Sequence, residues 1–212
     1  MKRILLLILL TPVTWAGDNH VHVEQVASGD GTVLNTTQIG YDNSINFTFA
    51  HANNTFNLSQ AGNGNSISWV SYWGPGKSWG GDVDGTNNTE SVEQIGDNTY
   101  GRHIWGNSNT VDVYQNGTHT HNLDIHANSV EHEVHQSGSG SHYLHTYFYG
   151  NTSTSETTIM QKGSGNHNAQ IRLQGNYPTT LNLLQDGSTN KTYNLTQNCQ
   201  TSGGCTLSIT QE

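Results

Sequence analysis

The chain is poor in charge, proline, cysteine and long apolar runs. Charged residues make up 11% of its 212 positions and apolar residues 32%, with only 3 Pro and 2 Cys. The apolar residues are spread thinly, so no single segment can supply one large core. Disordered chains are usually highly charged and poor in aromatics, whereas this one has 5 Trp, 9 Tyr and 4 Phe. The composition therefore favours many thin, repeated strands.

The one early apolar run has the form of an export signal. Lys2 and Arg3 precede the run 4–10, and Thr14-Trp15-Ala16 places small residues where a signal peptidase cleaves. We expect residues 1–16 to be a signal peptide and residues 17–212 to form a single secreted domain. No later segment approaches the 18 apolar residues of a membrane span, so none is expected.

Basic residues are too few for a nucleic-acid partner. Without Lys2 and Arg3, the 7 basic residues become 7 − 2 = 5, against 16 acidic ones. A surface that neutralises nucleic-acid phosphates is therefore not expected.

The two cysteines also agree with export. Cys199 and Cys205 lie six positions apart, and in an oxidising compartment we expect them to close a small disulfide loop between two strands. A pair of free thiols is the alternative. The other ligands of a zinc site are missing from this Ser- and Gly-rich turn.

What the chain has in abundance is a strand motif of the form apolar-x-apolar-x-Gln, as in Val111-Asp112-Val113-Tyr114-Gln115. Eight such segments recur at intervals of 22, 34, 21, 21, 25, 24 and 26 residues, each followed by turn residues. Their glutamines are Gln38, Gln60, Gln94, Gln115, Gln136, Gln161, Gln185 and Gln211. Repeats of this length are typical of arrays in which each unit packs only on its neighbours.

A second series of apolar strands alternates with the first. Its middle members lack Gln, and only its first and last members carry one, Gln25 and Gln197. A strand, a turn, a second strand and a second turn describe one rung of a solenoid. The sequence therefore predicts an all-β fold, a β-solenoid of about eight two-stranded rungs whose parallel strands stack in register with inward Gln and apolar ladders.

Alternation places each Gln on the same side as the apolar residues, which is the inside. A buried amide without partners costs about 2–7 kcal/mol, so each Gln must be paired. Stacking the rungs about 4.8 Å apart lets each side chain donate to one neighbour and accept from the other. Gly and Asn after each Gln are expected to supply the left-handed backbone angles of the tight turns.

Where the spacing is 21, neighbouring rungs can be aligned residue by residue. The alignment puts Ile104, Ile125 and Thr146 in one inward column. It predicts outward columns of His103, Asp124 and His145; of Tyr100, His121 and His142; of Trp105, His126 and Tyr147; and of Tyr114 and His135. Stacked imidazoles suit a transition metal, so the candidate ligands are His103, His121, His142 and His145. Solvated polar ladders are the alternative, and no resident cofactor is expected.

The interval of 34 exceeds its neighbours by about twelve residues. The excess coincides with Trp73-Gly74-Pro75-Gly76-Lys77-Ser78-Trp79-Gly80-Gly81, whose Pro and Gly exclude a regular strand. We predict an inserted loop at about 71–86. Together with Trp69, its tryptophans form either a ligand-contact surface or a cover over an edge.

Strands that end in Gln-x-Gly recur in phase along the chain. They include Gln38-Ile39-Gly40-Tyr41-Asp42-Asn43, Gln60-Ala61-Gly62-Asn63-Gly64-Asn65, Gln94-Ile95-Gly96-Asp97-Asn98, Gln136-Ser137-Gly138 and Gln161-Lys162-Gly163-Ser164-Gly165-Asn166. Over about residues 20–212 this pattern resembles the curlin repeat of bacterial curli subunits. The missing second Gln of rungs two to seven, the Cys pair, the many His and the Trp loop depart from the family pattern.

The resemblance implies a life outside the cell. Curlin subunits leave through a dedicated outer-membrane channel with the help of chaperones. They then assemble with themselves and other curlin subunits into extracellular amyloid fibres of the biofilm matrix, as a major subunit or a minor nucleator.

Three functions are open at this point. A structural subunit of cell-surface fibres would assemble through the open edges of its first and last rungs, where Gln25 and Gln197 extend a second Gln ladder. A monomeric binding module would present His columns or the Trp loop to metal, glycan or a surface. An enzyme is not expected, because the acidic residues are scattered on outward positions without a nucleophile–base pair. The sequence favours the first.

Overall fold

A computed structural model describes residues 18–25, 31–69, 82–102, 104–125, 127–139, 141–149 and 155–212. The expected signal peptide, the segment from Trp73 to Gly81, and His103 and His126 lie outside these residues. The described part of the chain forms strands and turns but no helix, and hence no helix able to cross a membrane. Its strands are β1 His20–Gln25, β2 Val33–Ile39, β3 Ser44–Ala50, β4 Thr55–Gly62, β5 Ser66–Trp69, β6 Asp82–Asp84, β7 Thr89–Gly96, β8 Thr99–Arg102, β9 Ile104–Trp105, β10 Thr110–Asn122, β11 Val130–Val134, β12 Ser141–Tyr149, β13 Ser155–Gln161, β14 Asn168–Gly175, β15 Thr179–Gln185, β16 Thr192–Cys199 and β17 Cys205–Gln211.

The strands form two parallel stacks, which we call stack A and stack B. Stack A contains β1, β3, β5 with β6, β8 with β9, the second part of β10, β12, β14 and β16. Stack B contains β2, β4, β7, the first part of β10, β11, β13, β15 and β17. Among the described residues each stack thus has eight layers joined by seven steps, so the chain makes about seven turns. The predicted β-solenoid is confirmed.

The core is a row of inward side chains between the two stacks. Along β15 buried residues alternate strictly with more accessible ones, and β4 does the same up to Gln60, as a period of two requires. Inner rungs bury these side chains fully, for example Ile67 and Leu181 at 0% exposure. In the last rung and in β1 of the first rung the inward side chains are only partly buried, whereas Leu34 of β2 is buried at 3% exposure.

Tight turns follow the glutamines of stack B, and glycine is required at the second residue after the Gln. Gly62 has a φ of +104°, and a Cβ added there would lie 2.7 Å from the carbonyl oxygen of Gly96 on the next rung. A side chain would therefore collide with backbone. The prediction that Asn shares this role is wrong for Asn43, Asn65 and Asn98, which lie buried and do not have positive φ. In the other set of turns it holds for Asn53 and Asn87.

One layer of stack A consists of two strands that flank most of the predicted loop. β5 ends at Trp69, β6 begins at Asp82, and Val83 pairs with Phe49 of β3. The predicted end of the loop at residue 86 is thus too late, because β6 already belongs to the sheet.

The predicted alignment of columns in stack A is wrong beyond His121. Stack B steps by 21 residues from Val113 to Val134, but stack A steps by 23 from His121 to Leu144. The two additional residues lie between Gln136 and His142. As a result, Thr146 does not follow Ile125 in an inward column.

Candidate assembly ladders and end rungs

The inward glutamines of stack B form a hydrogen-bonded ladder. From Gln60 to Gln185 these side chains are fully buried, as the sequence predicts. Five amide–amide bonds, written from donor to acceptor, are Gln38 to Gln60 at 2.8 Å, Gln60 to Gln94 at 2.9 Å, Gln136 to Gln115 at 2.7 Å, Gln161 to Gln136 at 2.8 Å and Gln185 to Gln211 at 2.7 Å. The second N–H of several of these amides donates across the rung, for example from Gln60 to the carbonyl oxygen of Ser44 at 3.1 Å.

The direction of donation changes twice along this ladder. Gln60 donates toward the C-terminus, Gln136 and Gln161 donate toward the N-terminus, and Gln185 donates toward the C-terminus again. Where the direction changes, like atoms meet, and the Oε1 atoms of Gln161 and Gln185 have no hydrogen-bond partner among the described residues. The predicted continuous ladder is therefore three segments.

A second amide ladder, which the sequence analysis missed, lies at the corner that precedes each strand of stack A. The Nδ2 group of Asn65 donates to Oδ1 of Asn43 at 2.9 Å, and that of Asn98 donates to Oδ1 of Asn65 at 3.1 Å. Each Oδ1 also accepts a backbone N–H of the next rung, as in Asn98 to Asn65 at 3.0 Å. Asn19 begins this column by accepting from Asn43. The sequence signal was an Asn four or five residues after Gln.

A third ladder occupies the opposite corner, before the strands of stack B. Backbone N–H groups of Asn88 and Asn109 donate to the side-chain oxygens of Asn54 and Asn88 at 2.9 and 3.0 Å. Asn88 Nδ2 donates to the carbonyl oxygen of Gly106 at 2.8 Å. The side chain thus satisfies turn groups that would otherwise be buried and unpaired.

Both Asn ladders end at the fourth rung. Beyond Asn98 the first corner continues with His119, His142 and His167, whose rings lie 4.5 and 4.9 Å apart, centroid to centroid. Beyond Asn109 the second corner continues with Val130, Ser155, Thr179 and Cys205. The first corner therefore has Asn in rungs one to four and the second corner has Asn in rungs two to four, with Thr32 in rung one, and other residues occupy both corners from rung five onward.

A buried ion pair crosses the core between rungs three and four. Arg102 Nε donates to Glu90 Oε1 at 2.7 Å, and both side chains have 0% exposure. The guanidinium also lies 4.1 Å from the ring centroid of Phe47. The expectation that the acidic residues point outward is wrong for Glu90. Glu90 lies two residues before the inward Val92, and Arg102 lies two residues before the inward Ile104. Both charged residues are therefore on the inward side, and this spacing is visible in the sequence.

Besides this ion pair, the core contains buried histidines in the later rungs. His121 and His132 are fully buried, with ring centroids 5.5 Å apart, and His121 Nε2 lies 3.3 Å from Thr146 Oγ1. Burial lowers the pKa of His132 to about 3. Burial, followed by repulsion from His132 and His145, holds the pKa of His121 well below its usual value. Both core imidazoles are therefore neutral at pH 7.

These positions overturn the stacking that suggested a metal site. Tyr100, His121 and His142 face inward, and His121 pairs with Leu144 instead of His142. His145 lies on the outer face, half-buried, and burial lowers its pKa while Asp124 acts in the opposite direction. Among the described residues no group of three or more His, Cys, Asp or Glu is arranged to hold a metal. The outward pairing of Tyr114 with His135 is confirmed, with ring centroids 6.3 Å apart.

The end rungs are partly open and differ in their construction. Tyr193, Leu195, Leu207 and Ile209 lie partly buried at the C-terminal end, as do Val21 and Val23 at the N-terminal end. The predicted disulfide is confirmed. Cys199 and Cys205 join the end of β16 to the start of β17 with an Sγ–Sγ distance of 2.10 Å.

The register partners of the two glutamines at the ends of stack A are apolar residues. Gln25 pairs with Phe49, and Gln197 pairs with Leu173. The buried Oε1 atom of Gln197 has no hydrogen-bond partner among the described residues.

No protein-family model matches the chain, and no curated protein or solved structure is significantly similar to it.

Proposed function

We propose that this protein is a secreted structural subunit that assembles end to end into extracellular curli-like amyloid fibres. The observation that carries the proposal is the match between its two end rungs. A second copy whose β1 follows β16 and whose β2 follows β17 continues both stacks without a change of register. Such a junction is heterologous and does not close, so it produces a filament.

Placing the copies in this way aligns like residues at the junction. Gln211 meets Gln38 of the next copy, as Gln185 meets Gln211 within the molecule. In stack A, the position of Gln197 meets that of Gln25 in the next copy, so that Gln follows Gln along the stack. Two Gln columns then run from one molecule to the next.

The direction of the hydrogen bonds also matches. Gln185 donates to Gln211 and Gln38 donates to Gln60, so both ends of the ladder run toward the C-terminus. The amide nitrogen of Gln211 would therefore meet the carbonyl oxygen of Gln38 in the next copy. A reversed polarity at either end would place like atoms against each other.

The edges carry little that opposes such pairing. Natural sheets protect their edges with Lys, Pro, bulges or inward charges. In the sequence of β1, β2, β16 and β17, Glu24 is the one acidic or basic residue apart from histidine, and there is no proline. The partly exposed row of Tyr193, Leu195, Leu207 and Ile209 adds apolar surface that a second rung would bury.

Two variants that block opposite ends test this proposal. Ile209→Lys places an inward charge at the C-terminal end, and Val23→Lys does the same at the N-terminal end. Each alone is expected to stay monomeric under conditions in which the parent chain forms fibres with a reflection at about 4.7–4.8 Å. Asn194→Lys is the matched control, because Asn194 points outward on the same end rung and its variant should still form fibres.

Mixing the two blocked variants gives a sharper result. Each retains one intact end, so an equimolar mixture should form one-to-one dimers in sedimentation velocity and nothing longer. Fibres from either blocked variant alone, or a mixture that stays monomeric, would contradict the end-to-end junction. Export through a curli-type channel, chaperones and other curlin subunits as partners belong to the same proposal, supported by the repeat pattern.

A further inference from the structure

The corner column before stack A changes from asparagine to histidine at the fifth rung, and His119 follows Gln115 at the same distance of four residues at which Asn98 follows Gln94. Asn98 in rung four fills two roles. Its Oδ1 accepts the backbone N–H of His119 at 3.1 Å, and its Nδ2 donates to the carbonyl oxygen of Ile95 at 2.8 Å. One atom thus serves the next rung and the other serves its own turn.

His119 fills the same two roles with its ring nitrogens. Its Nδ1 accepts the backbone N–H of His142 at 3.3 Å, and its Nε2 is bonded to the carbonyl oxygen of Asn116 in its own turn. A carbonyl oxygen only accepts, and a backbone N–H only donates. The ring must therefore be neutral, with its proton on Nε2. His167 bonds its turn in the same way, from Nε2 to the oxygen of Lys162 at 2.7 Å.

We propose that the histidine column, in which His119 accepts the N–H of His142 and His142 lies between two imidazoles, makes rungs five to seven an acid-labile segment of the solenoid, whereas the Asn column keeps rungs two to four folded in acid. A proton on Nδ1 of His119 would place an N–H against the backbone N–H of His142. Neutral amides have no such transition, because Asn does not titrate in this range.

The surroundings of the column amplify the effect of protonation. His142 lies between two imidazoles, with ring centroids 4.5 Å from His119 and 4.9 Å from His167. Lys191 follows His167 at the same corner, where its carbonyl oxygen accepts the N–H of Asn168. Charges gained here would therefore repel one another along the column.

The pKa of His142 agrees with this geometry. Burial, then His119 and His167, lower it to about 4, and a backbone bond at Gly163 acts in the opposite direction. The core imidazoles also have lowered pKa values. Burial lowers the pKa of His132 to about 3, and burial, His132 and His145 lower the pKa of His121. On the outer face, burial lowers the pKa of His145, and the Asp124 carboxylate acts in the opposite direction.

The sign of the pH effect follows from these directions. A histidine whose pKa is lower in the folded state binds fewer protons there than in the unfolded state. Its contribution to stability is full above the unfolded pKa of about 6.5 and decreases as the pH falls toward the folded pKa. For His142 this window runs from about pH 6.5 to about 4.

Hydrogen exchange resolved by peptide tests the proposal on the full mature chain. Protection factors are compared at pH 7.5 and pH 5.0 for peptides from β4 and β7 and for peptides from β12 and β13. We expect protection in β12 and β13 to fall by about 30-fold or more, which is the factor that one imidazole with these pKa values contributes at pH 5. Protection in β4 and β7 is expected to stay within about threefold, since their corners are amides.

A matched variant restores the asparagine column. In His119→Asn/His142→Asn/His167→Asn, the acid loss of protection in β12 and β13 should shrink by about 30-fold or more, leaving the part that His121 and His132 contribute. An equal loss of protection in both pairs of peptides between pH 7.5 and pH 5.0 in the unmodified chain would overturn the proposal without any variant. An unchanged acid response in a folded triple variant would overturn it as well. Because exchange reports folding of each rung, the result does not depend on fibre formation.

Discussion

The rungs before and after residue 118 solve the same structural problem with different chemistry. In rungs two to four, Asn side chains at both corners pair with each other and with the backbone of the next turn. In the following rungs one corner carries stacked histidines, and the other carries Val130, Ser155 and Thr179. A solenoid rung therefore requires a turn that stacks on the next turn, and either Asn or other side chains can fill the corner of such a turn. The two regions should differ in how much free energy of unfolding is lost when a corner side chain is replaced.

The buried ion pair at the boundary between the two regions should have the largest effect. Glu90→Leu leaves the Arg102 guanidinium buried without its partner, which should lower the free energy of unfolding by about 3–5 kcal/mol. Urea titration of the assembly-blocked Ile209→Lys chain, followed by circular dichroism, measures it. The double variant Glu90→Val/Arg102→Leu copies Val111 and Leu123, the next residues in the same columns, and should unfold near the parent midpoint. A single variant as stable as the double would contradict a role for the pair.

The amide corner should be costly to remove, and the equivalent later corner should not. Asn88→Ala deprives the backbone of Asn109 and Gly106 of hydrogen-bond partners, a loss of about 2–4 kcal/mol. Thr179 occupies the same column, and its buried Oγ1 has no partner among the described residues, so Thr179→Val should cost less than about 1 kcal/mol. Denaturant midpoints of the two variants make the comparison. Equal losses would mean that the two corners are held alike.

The core imidazoles should make the later rungs sensitive to pH. His132 has a folded pKa of about 3, so its stabilising contribution is present above about pH 6.5 and is lost as the pH falls. At pH 5 this loss is about 2 kcal/mol relative to pH 7.5. His132→Val, which copies Val111, should remove it, as shown by urea midpoints at the two pH values. His22→Gln on the exposed face of β1 is the control, and an equal change there would contradict the assignment to His132.

Outward side chains should matter least in either region. Tyr114 stacks on His135 of the next rung at the surface, so Tyr114→Ser is expected to change the free energy of unfolding by about 0.5 kcal/mol or less. Asn182→Ser, in an exposed position of β15, should behave in the same way. A loss above about 1 kcal/mol for either, in the same urea titration, would show that the outer face contributes to the fold.

The Gln repeat was sufficient to predict the fold. Its phase, kept through eight strands, fixed the inward side and the parallel register, and both are present in the structure. The column of Tyr100, His121 and His142 was misplaced for two reasons. The prediction treats these polar side chains as exposed, although the alternation with Ile104 places Tyr100 inside. The two additional residues after Gln136 also shift one stack against the other, which an interval between glutamines of stack B alone does not reveal.

The Asn ladders and the ion pair were harder to predict, for a physical reason. An Asn in a turn favours left-handed backbone angles in isolation, and only the stacked neighbour at the same corner makes it a ladder residue. Similarly, Glu90 and Arg102 belong to different rungs, so their pairing depends on how adjacent layers align. Both features are consequences of stacking and are not local to one repeat.

The central claim is that one molecule continues into the next without a break in either stack. Cryo-electron microscopy of fibres formed by the mature chain tests it most directly. Eight rungs at about 4.8 Å predict one molecule for every 38 Å or so along the fibre axis, with β1 seated on β16 and β2 on β17. Fibres in which the end rungs face solvent, or in which the molecules join through the outer faces of the stacks, would contradict the account.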